Sequence, residues 1–216
     1  MSWKFTSARL RQAVAALVLA GSMPAWAAGA LDLAKTRGAT DARRMVEWVL
    51  RSADHQGRPF AVVDKRQARI YVFGADGRLA GESAVLLGAA PGDHSMPGVG
   101  ARTQSGTLRP DDLTTPAGRF DAKPGRNISG EHVVWADYDA AFAIHRNRPG
   151  RAQAARDRRL ASETVADNRV SNGCVVVPVA FYEKVVAPVL GKVRSVVYVL
   201  PESRSGETFF EALQQL

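Results

Sequence analysis

The chain contains one cysteine, Cys174, and its neighbours are of a kind that supports nucleophilic chemistry. Ser171, Asn172 and Gly173 precede it, and three valines and Pro178 follow it. Glycine beside a nucleophile lets the backbone approach a substrate closely, and backbone N–H groups around such a turn can stabilise a developing oxyanion. A lone cysteine beside valines is also commonly a small buried hydrophobic residue, so this stretch alone leaves both interpretations open.

A second chemical candidate is His145, which ends an apolar stretch and precedes a basic segment. Strand ends that open into loops commonly hold catalytic groups on a rigid scaffold. A thiol is weakly ionised at neutral pH, and a neighbouring imidazole can take its proton, so Cys174 and His145 form the minimum pair for covalent catalysis. Taken alone, His145 could equally be a surface or hydrogen-bonded structural residue.

The N-terminus has the pattern of a secretory signal peptide. A basic start without acidic residues precedes an apolar run at residues 13–20, which is short for a bilayer span. Ala25-Trp26-Ala27 matches the small-x-small cleavage pattern, so we expect cleavage after Ala27 and a mature protein in the periplasm or cell envelope. An uncleaved membrane anchor is the alternative.

Predicted export affects which role a single cysteine indicates. Exported proteins use cysteines mainly in disulfide pairs, and a single leftover cysteine indicates a reactive thiol or an intermolecular bond. One cysteine and four scattered histidines give no zinc signature, and we expect no metal or cofactor. His55, His94 and His132 are predicted to be structural or surface residues.

The chain is basic, with a formal net charge of +8, of which three positive charges lie in the predicted signal. Basic chains often bind nucleic acid. Export instead favours an anionic cell-envelope surface as the partner, and we expect no nucleic-acid partner. A soluble basic protein without a charged partner is the alternative.

Hydrophobic periodicity predicts a mainly β domain with a few flanking helices. Strands are predicted at residues 60–64, 69–73, 82–88, 130–136, 140–145 and 193–200, with another beginning near Phe120. Helices are predicted at 40–50, 152–160, after Pro178 and at 206–216, and residues 89–115 are predicted to be a long loop. The expected division is a signal at 1–27, a lead-in and helix at 28–58, a catalytic domain at 59–201 and a tail at 202–216.

From residue 60 to 201 the chain resembles the L,D-transpeptidase catalytic domain of the YkuD-type fold. The matching stretches, in family order, are Val63-Asp64-Lys65-Arg66, Ile70-Tyr71-Val72-Phe73, Thr115-Pro116-Ala117-Gly118-Arg119-Phe120, Ile144-His145 and Ser171-Asn172-Gly173-Cys174. The resemblance implies a sandwich-like β domain. It also implies a Cys–His active site with Cys174 as nucleophile and His145 as general base and acid.

The resemblance extends to the supporting groups. It implies that a backbone carbonyl such as that of Arg146 orients the imidazole. The N–H groups of Gly173 and Cys174 become candidate oxyanion donors, with Ser171 and Asn172 supporting the loop. Arg146 and Arg169 are candidate substrate-binding residues.

The chain departs from the family pattern near the cysteine. Asn172 stands where a histidine or aromatic residue is usual, and Val176 stands where an arginine or asparagine is usual. The segment between His145 and Ser171 is longer than in many members and rich in arginine. Its arginines are Arg146, Arg148, Arg151, Arg156, Arg158, Arg159 and Arg169. They are expected either to bind substrate carboxylates or to form a solvated basic lid.

The activity implied is that of an exported L,D-transpeptidase that acts on peptidoglycan stem peptides through a Cys174 thioester. The acceptor would be a second stem peptide or an envelope protein. One alternative keeps the chemistry but uses water, giving an L,D-carboxypeptidase or an amidase. The other is a non-catalytic envelope-binding domain, for which Val176 is the best support.

Overall fold

The computed structural model describes residues 40–203. The predicted signal peptide, the lead-in before residue 40 and the predicted helix at 206–216 lie outside the described residues. The described helices are α1 (Thr40–Ser52), α2 (Val99–Ser105), α3 (Gln153–Leu160) and α4, which joins Val179–Phe181, a π-helical turn Tyr182–Val186 and Ala187–Val189. The strands are β1 (Phe60–Asp64), β2 (Arg69–Phe73), β3 (Leu79–Ala84), β4 (Leu87–Gly88), β5 (Gly118–Arg126), β6 (His132–Asp137), β7 (Phe142–Arg146), β8 (Arg169–Ser171), β9 (Val175–Val177) and β10 (Ser195–Val199).

Eight of these strands form one mixed sheet in the order β3-β2-β1-β10-β5-β6-β7-β9. The β1–β10 and β7–β9 pairs are parallel, and the other neighbours in this sheet are antiparallel. The short strands β4 and β8 pair in parallel as a separate ribbon. The parallel β7–β9 pair matters most, because it sets His145 beside the strand that follows Cys174.

Helix α1 covers one face of the β1–β2–β10 region. Its buried residues, Ala42, Met45, Val46 and Val49, recur at helical spacing and pack in one cluster with the aromatic side chains of those strands. Both faces of β1 are buried, because alternate residues point to opposite sides of a strand and every residue of Phe60–Asp64 is buried.

The other face of the sheet encloses the larger core. One cluster contains Ile70 and Val72 of β2 together with Val175 and Val177 of β9, although these strands stand far apart in the sheet order. A single cluster that joins both ends of the sheet indicates that the sheet curves around one core, as in a sandwich. The predicted mainly β, sandwich-like fold is confirmed.

Two local predictions are wrong. The strand predicted at 82–88 is split, because Leu79–Ala84 pairs with β2 and Leu87–Gly88 turns away to pair with β8. The loop predicted at 89–115 contains α2 and a 3-10 turn at Pro110–Asp112. Gly98 and Gly106 take left-handed conformations at the two ends of α2, so the glycines that suggested a loop delimit a short helix.

Candidate active site

Cys174 lies directly before β9, and its thiol is held against the backbone that leads into β7. The Sγ atom donates a hydrogen bond to the Ala141 carbonyl at 3.4 Å. Ala141 itself takes a positive φ of 52°, a conformation that costs free energy for alanine and often marks functional sites. Burial raises the pKa of the thiol, although the Ala143 amide and the positive charge of Arg148 oppose that rise. The thiol of Cys174 is therefore neutral at pH 7.

The imidazole of His145 is oriented by the backbone. Its Nδ1 atom lies 2.8 Å from the Arg146 carbonyl oxygen. Because a carbonyl only accepts, Nδ1 carries the proton and Nε2 keeps a free lone pair. Burial, followed by the charge of Arg148, lowers the pKa of His145 to about 4, so the ring is neutral at pH 7. This tautomer is the one that a general base requires.

The strand register brings the two residues to adjacent strands. His145 is the Cα partner of Val176 across the parallel β7–β9 pair, and Cys174 precedes Val176 by two residues. Neighbouring strands lie about 4.8 Å apart and two residues span about 6.6 Å. Cys174 and His145 are therefore diagonal neighbours at one end of the sheet.

Ser171 closes the turn that carries the cysteine. Its Oγ donates to the Cys174 carbonyl at 2.6 Å and accepts from the Gly173 N–H at 3.1 Å. The Gly173 amide, expected as an oxyanion donor, is thus already engaged. Within residues 40–203 the Cys174 N–H has no recorded hydrogen bond, and it is the remaining candidate donor. Asn172 is exposed at the tip of the turn.

Thr115 holds this turn from the other side, a role that the sequence did not single out. Its hydroxyl donates to the Gly173 carbonyl at 2.8 Å and accepts from the Gly88 N–H at 2.8 Å. In a trans peptide the carbonyl and the following N–H point in opposite directions. Because Thr115 fixes the Gly173 carbonyl inward, the Cys174 N–H is directed away from Thr115.

Gly173 is required at its position. Its φ of +116° is strained for residues with a side chain, and a Cβ there would lie 2.9 Å from the Thr114 carbonyl oxygen. The backbone of the Thr114–Thr115 segment therefore packs directly on the residue before Cys174.

A buried cluster of charges lies behind Thr115. The ammonium group of Lys65, which is fully buried, donates to the carbonyls of Thr115 and Gly92 and to Asp93, at 2.8, 2.5 and 2.8 Å. Glu202 lies 3.5 Å from the same ammonium group. Burial lowers the pKa of Lys65, and its acidic partners oppose that fall. Pairing of this kind is what makes a buried charge tolerable.

The two arginines predicted to bind substrate have other partners. Arg169 pairs with Glu202 and donates to the Lys65 carbonyl at 3.3 Å, so it joins the buried cluster. Arg146 pairs with Glu131 at 3.0 Å and lines a cavity of about 760 Å³ beside α4. A substrate carboxylate would compete with Glu202 or Glu131 for either guanidinium group.

Val176 has a structural explanation. Its side chain packs with Leu86 and with Leu160 of α3 in a small cluster separate from the main core. Its backbone exchanges hydrogen bonds with Leu86 at 2.8 and 2.9 Å. The apolar side chain at this position therefore packs against the C-terminal end of α3.

The start of α3 is attached beside His145 by Asn147. This buried amide donates to Asp157 at 2.6 Å and accepts from the Arg156 Nε at 2.6 Å. Its backbone N–H donates to the Val177 carbonyl at 2.7 Å. Helix α3 is thus fixed against the C-terminal ends of β7 and β9, and it is called the lid below. Among the described residues, no group of three or more His, Cys, Asp or Glu side chains is arranged to hold a metal ion.

Comparisons with known proteins give partial structural similarity. No protein-family model matches the sequence, and no curated protein matches it. The chain is similar to the L,D-transpeptidase of Enterococcus faecium, with 18% identity over 66% of this chain and 49% of that one, at a TM-score of 0.34. It is similar to the helical cell shape determining protein Pgp2 of Campylobacter jejuni, with 15% identity over 70% of this chain and 51% of that one, at a TM-score of 0.43.

A third similar structure is a fused Zn-dependent amidase/peptidase/peptidoglycan-binding domain-containing protein of Clostridium acetobutylicum. Identity is 14% over 72% of this chain and 62% of that one, and the TM-score is 0.39. The chain thus spans 49% to 62% of the length of these three proteins. At such TM-scores the chemistry of this chain has to be derived from its own residues. No described helix is both long and apolar enough to cross a membrane.

Proposed function

We propose that the protein is an exported cysteine L,D-transpeptidase that acts on peptidoglycan stem peptides. The observation that carries the proposal is the His145 tautomer. A carbonyl partner on Nδ1 leaves Nε2 as the basic nitrogen of a neutral ring, and the β7–β9 register places His145 on the strand beside the segment that carries Cys174. A neutral thiol beside a neutral imidazole is the starting state of base-assisted nucleophilic attack.

In the acylation step, His145 Nε2 removes the thiol proton as Cys174 Sγ attacks the carbonyl carbon of the third stem residue. The oxyanion that forms accepts a hydrogen bond from the Cys174 N–H. The C–N bond to the terminal D-amino acid then breaks. His145 returns the proton to the leaving amine, and a thioester on Cys174 remains.

In the second step an amine of another stem peptide, or of an envelope protein, attacks the thioester. His145 accepts a proton from that amine and the thiolate of Cys174 leaves and is reprotonated. The product is a new amide bond, and the enzyme returns to its starting state. Water as the acceptor would instead release a tripeptide.

Mass spectrometry of the purified protein incubated with a tetrapeptide muropeptide tests the proposal. We expect an acyl adduct on Cys174 and cross-linked dimers, with neither formed by Cys174→Ala. Tripeptide monomers without dimers would identify a hydrolase. The absence of any adduct, including one from a carbapenem-type acylating probe, would indicate a non-catalytic domain.

A further inference from the structure

Arg148 occupies a fixed position on the lid side of the site. It follows Asn147, which is tied to β9 through the Val177 carbonyl. Its own carbonyl accepts a hydrogen bond from Arg156 Nη2 at 2.7 Å. The backbone of Arg148 is therefore held by two contacts that do not involve its side chain.

The guanidinium group of Arg148 is only partly occupied. Its Nε lies 3.2 Å from Glu131 Oε2, and its side chain is 44% exposed. The other oxygen of Glu131 is taken by Arg146. Within residues 40–203 no hydrogen bond is recorded for the two terminal nitrogens of Arg148. These nitrogens form the fork that binds a carboxylate through two parallel hydrogen bonds.

Arg148 also acts on both candidate catalytic groups. Its positive charge contributes to lowering the pKa of His145 and opposes the rise in the pKa of Cys174. The other lid arginines are differently placed. Arg156 is bonded to Asn147 and to the Arg148 carbonyl, Arg159 bonds the Asp167 carbonyl, and Arg158 is exposed.

We propose that Arg148 binds a carboxylate of the stem peptide beside Cys174, and so determines substrate specificity. The proposal rests on the proposed function and names the group that recognises the donor. Arg148 would then make the polar contact with the substrate carboxylate that the apolar Val176 cannot make. A bound carboxylate cancels the charge of Arg148, so the pKa of His145 rises and the imidazole becomes a stronger base when substrate is present.

Binding to the inactive Cys174→Ala protein tests this independently of turnover. The probes are the stem tetrapeptide and a series in which each carboxylate in turn is converted to an amide. We expect Arg148→Gln to weaken tetrapeptide binding about 10- to 100-fold, the range for a lost charge-assisted contact. Arg158→Gln, which removes the same charge from the same segment, is the control and should bind as the parent does.

One of the amidated peptides should bind the Cys174→Ala protein as weakly as the unmodified tetrapeptide binds the protein that also carries Arg148→Gln. Combining that peptide with Arg148→Gln should weaken binding no further. Arg148→Lys should restore part of the affinity. The assignment would be overturned by any of three results. Arg148→Gln could bind the tetrapeptide as tightly as the Cys174→Ala protein does, or Arg148→Gln and Arg158→Gln could lose the same affinity. The third such result is that the Cys174→Ala protein does not bind the tetrapeptide. Acylation of the Cys174-containing protein is measured separately, so a failure of the proposed function is recognised on its own.

Discussion

The hydroxyl of Thr115 donates a hydrogen bond to the carbonyl of Gly173 at 2.8 Å, one residue before Cys174. This bond fixes the peptide whose N–H is the candidate oxyanion donor. Lys65 in turn donates to the Thr115 carbonyl at 2.8 Å. Thr115 and Lys65 therefore help to set the conformation of the cysteine turn, although neither forms a hydrogen bond with the thiol, which bonds to Ala141.

We expect Thr115→Val to lower both stability and acylation. It leaves the Gly173 carbonyl and the Gly88 N–H without their buried partner, which costs about 1–3 kcal/mol in the free energy of unfolding. Because the turn loosens, the acylation rate should fall about tenfold or more. Urea denaturation and burst-phase mass spectrometry measure the two effects. Thr115→Ser should restore both, and Thr107→Val, at an exposed threonine, should change neither.

Gly173→Ala should reduce acylation at least about tenfold, because alanine adds backbone strain and a clash with the Thr114 carbonyl. Gly150→Ala is the matched control, since Gly150 also has a positive φ, +135°, but a Cβ there meets nothing within 4 Å. The control should lose about 1–3 kcal/mol of stability at most and keep its acylation rate. Equal rates in the two variants would mean that the turn tolerates a shift.

The folded-state pKa of His145, about 4, lies below its ordinary value of 6.5. Between these values the unfolded chain binds more protons, so the free energy of unfolding rises with pH. The contribution is complete above about pH 6.5 and disappears as the pH falls towards 4. His145→Gln should flatten this part of the stability curve in thermal melts. The same variant should acylate about 100-fold more slowly, as for loss of a general base.

Leu160→Ala should make the thiol more reactive. Leu160 is the contact of α3 with Leu86 and Val176, and a cluster of three residues provides little stability against local opening. We expect alkylation of Cys174 by iodoacetamide to accelerate about tenfold, because the lid opens more often. Leu190→Ala removes a buried leucine from the main core and controls for general destabilisation. An equal acceleration in the control would contradict the lid interpretation.

Local patterns predicted much of the fold. The pattern of Arg69–Phe73 and the helical spacing of Ala42, Met45, Val46 and Val49 each lie within one element, and both of these elements are present. The glycines around α2 indicated a loop because a composition rich in glycine is typical of loops and also of helix caps.

The candidate pair was identified because a lone thiol and a strand-end histidine carry their chemistry in their residue types. The supporting residues were not identified, since their roles depend on distant partners. Lys65 looks like a turn residue, yet it is fully buried because Asp93 and Glu202 surround it. From the sequence, Val176 is interpreted as the loss of a polar residue. In the structure, it packs against Leu160, and this contact explains the apolar side chain.

The contacts that shape the cysteine turn join parts of the chain that are far apart. The Lys65–Thr115 and Thr115–Gly173 hydrogen bonds span 50 and 58 positions. Such contacts form only when the chain between them closes into a loop, which has an entropic cost. A chain in which these contacts have not formed lacks the fixed cysteine turn, so any chemistry at Cys174 would require the assembled domain.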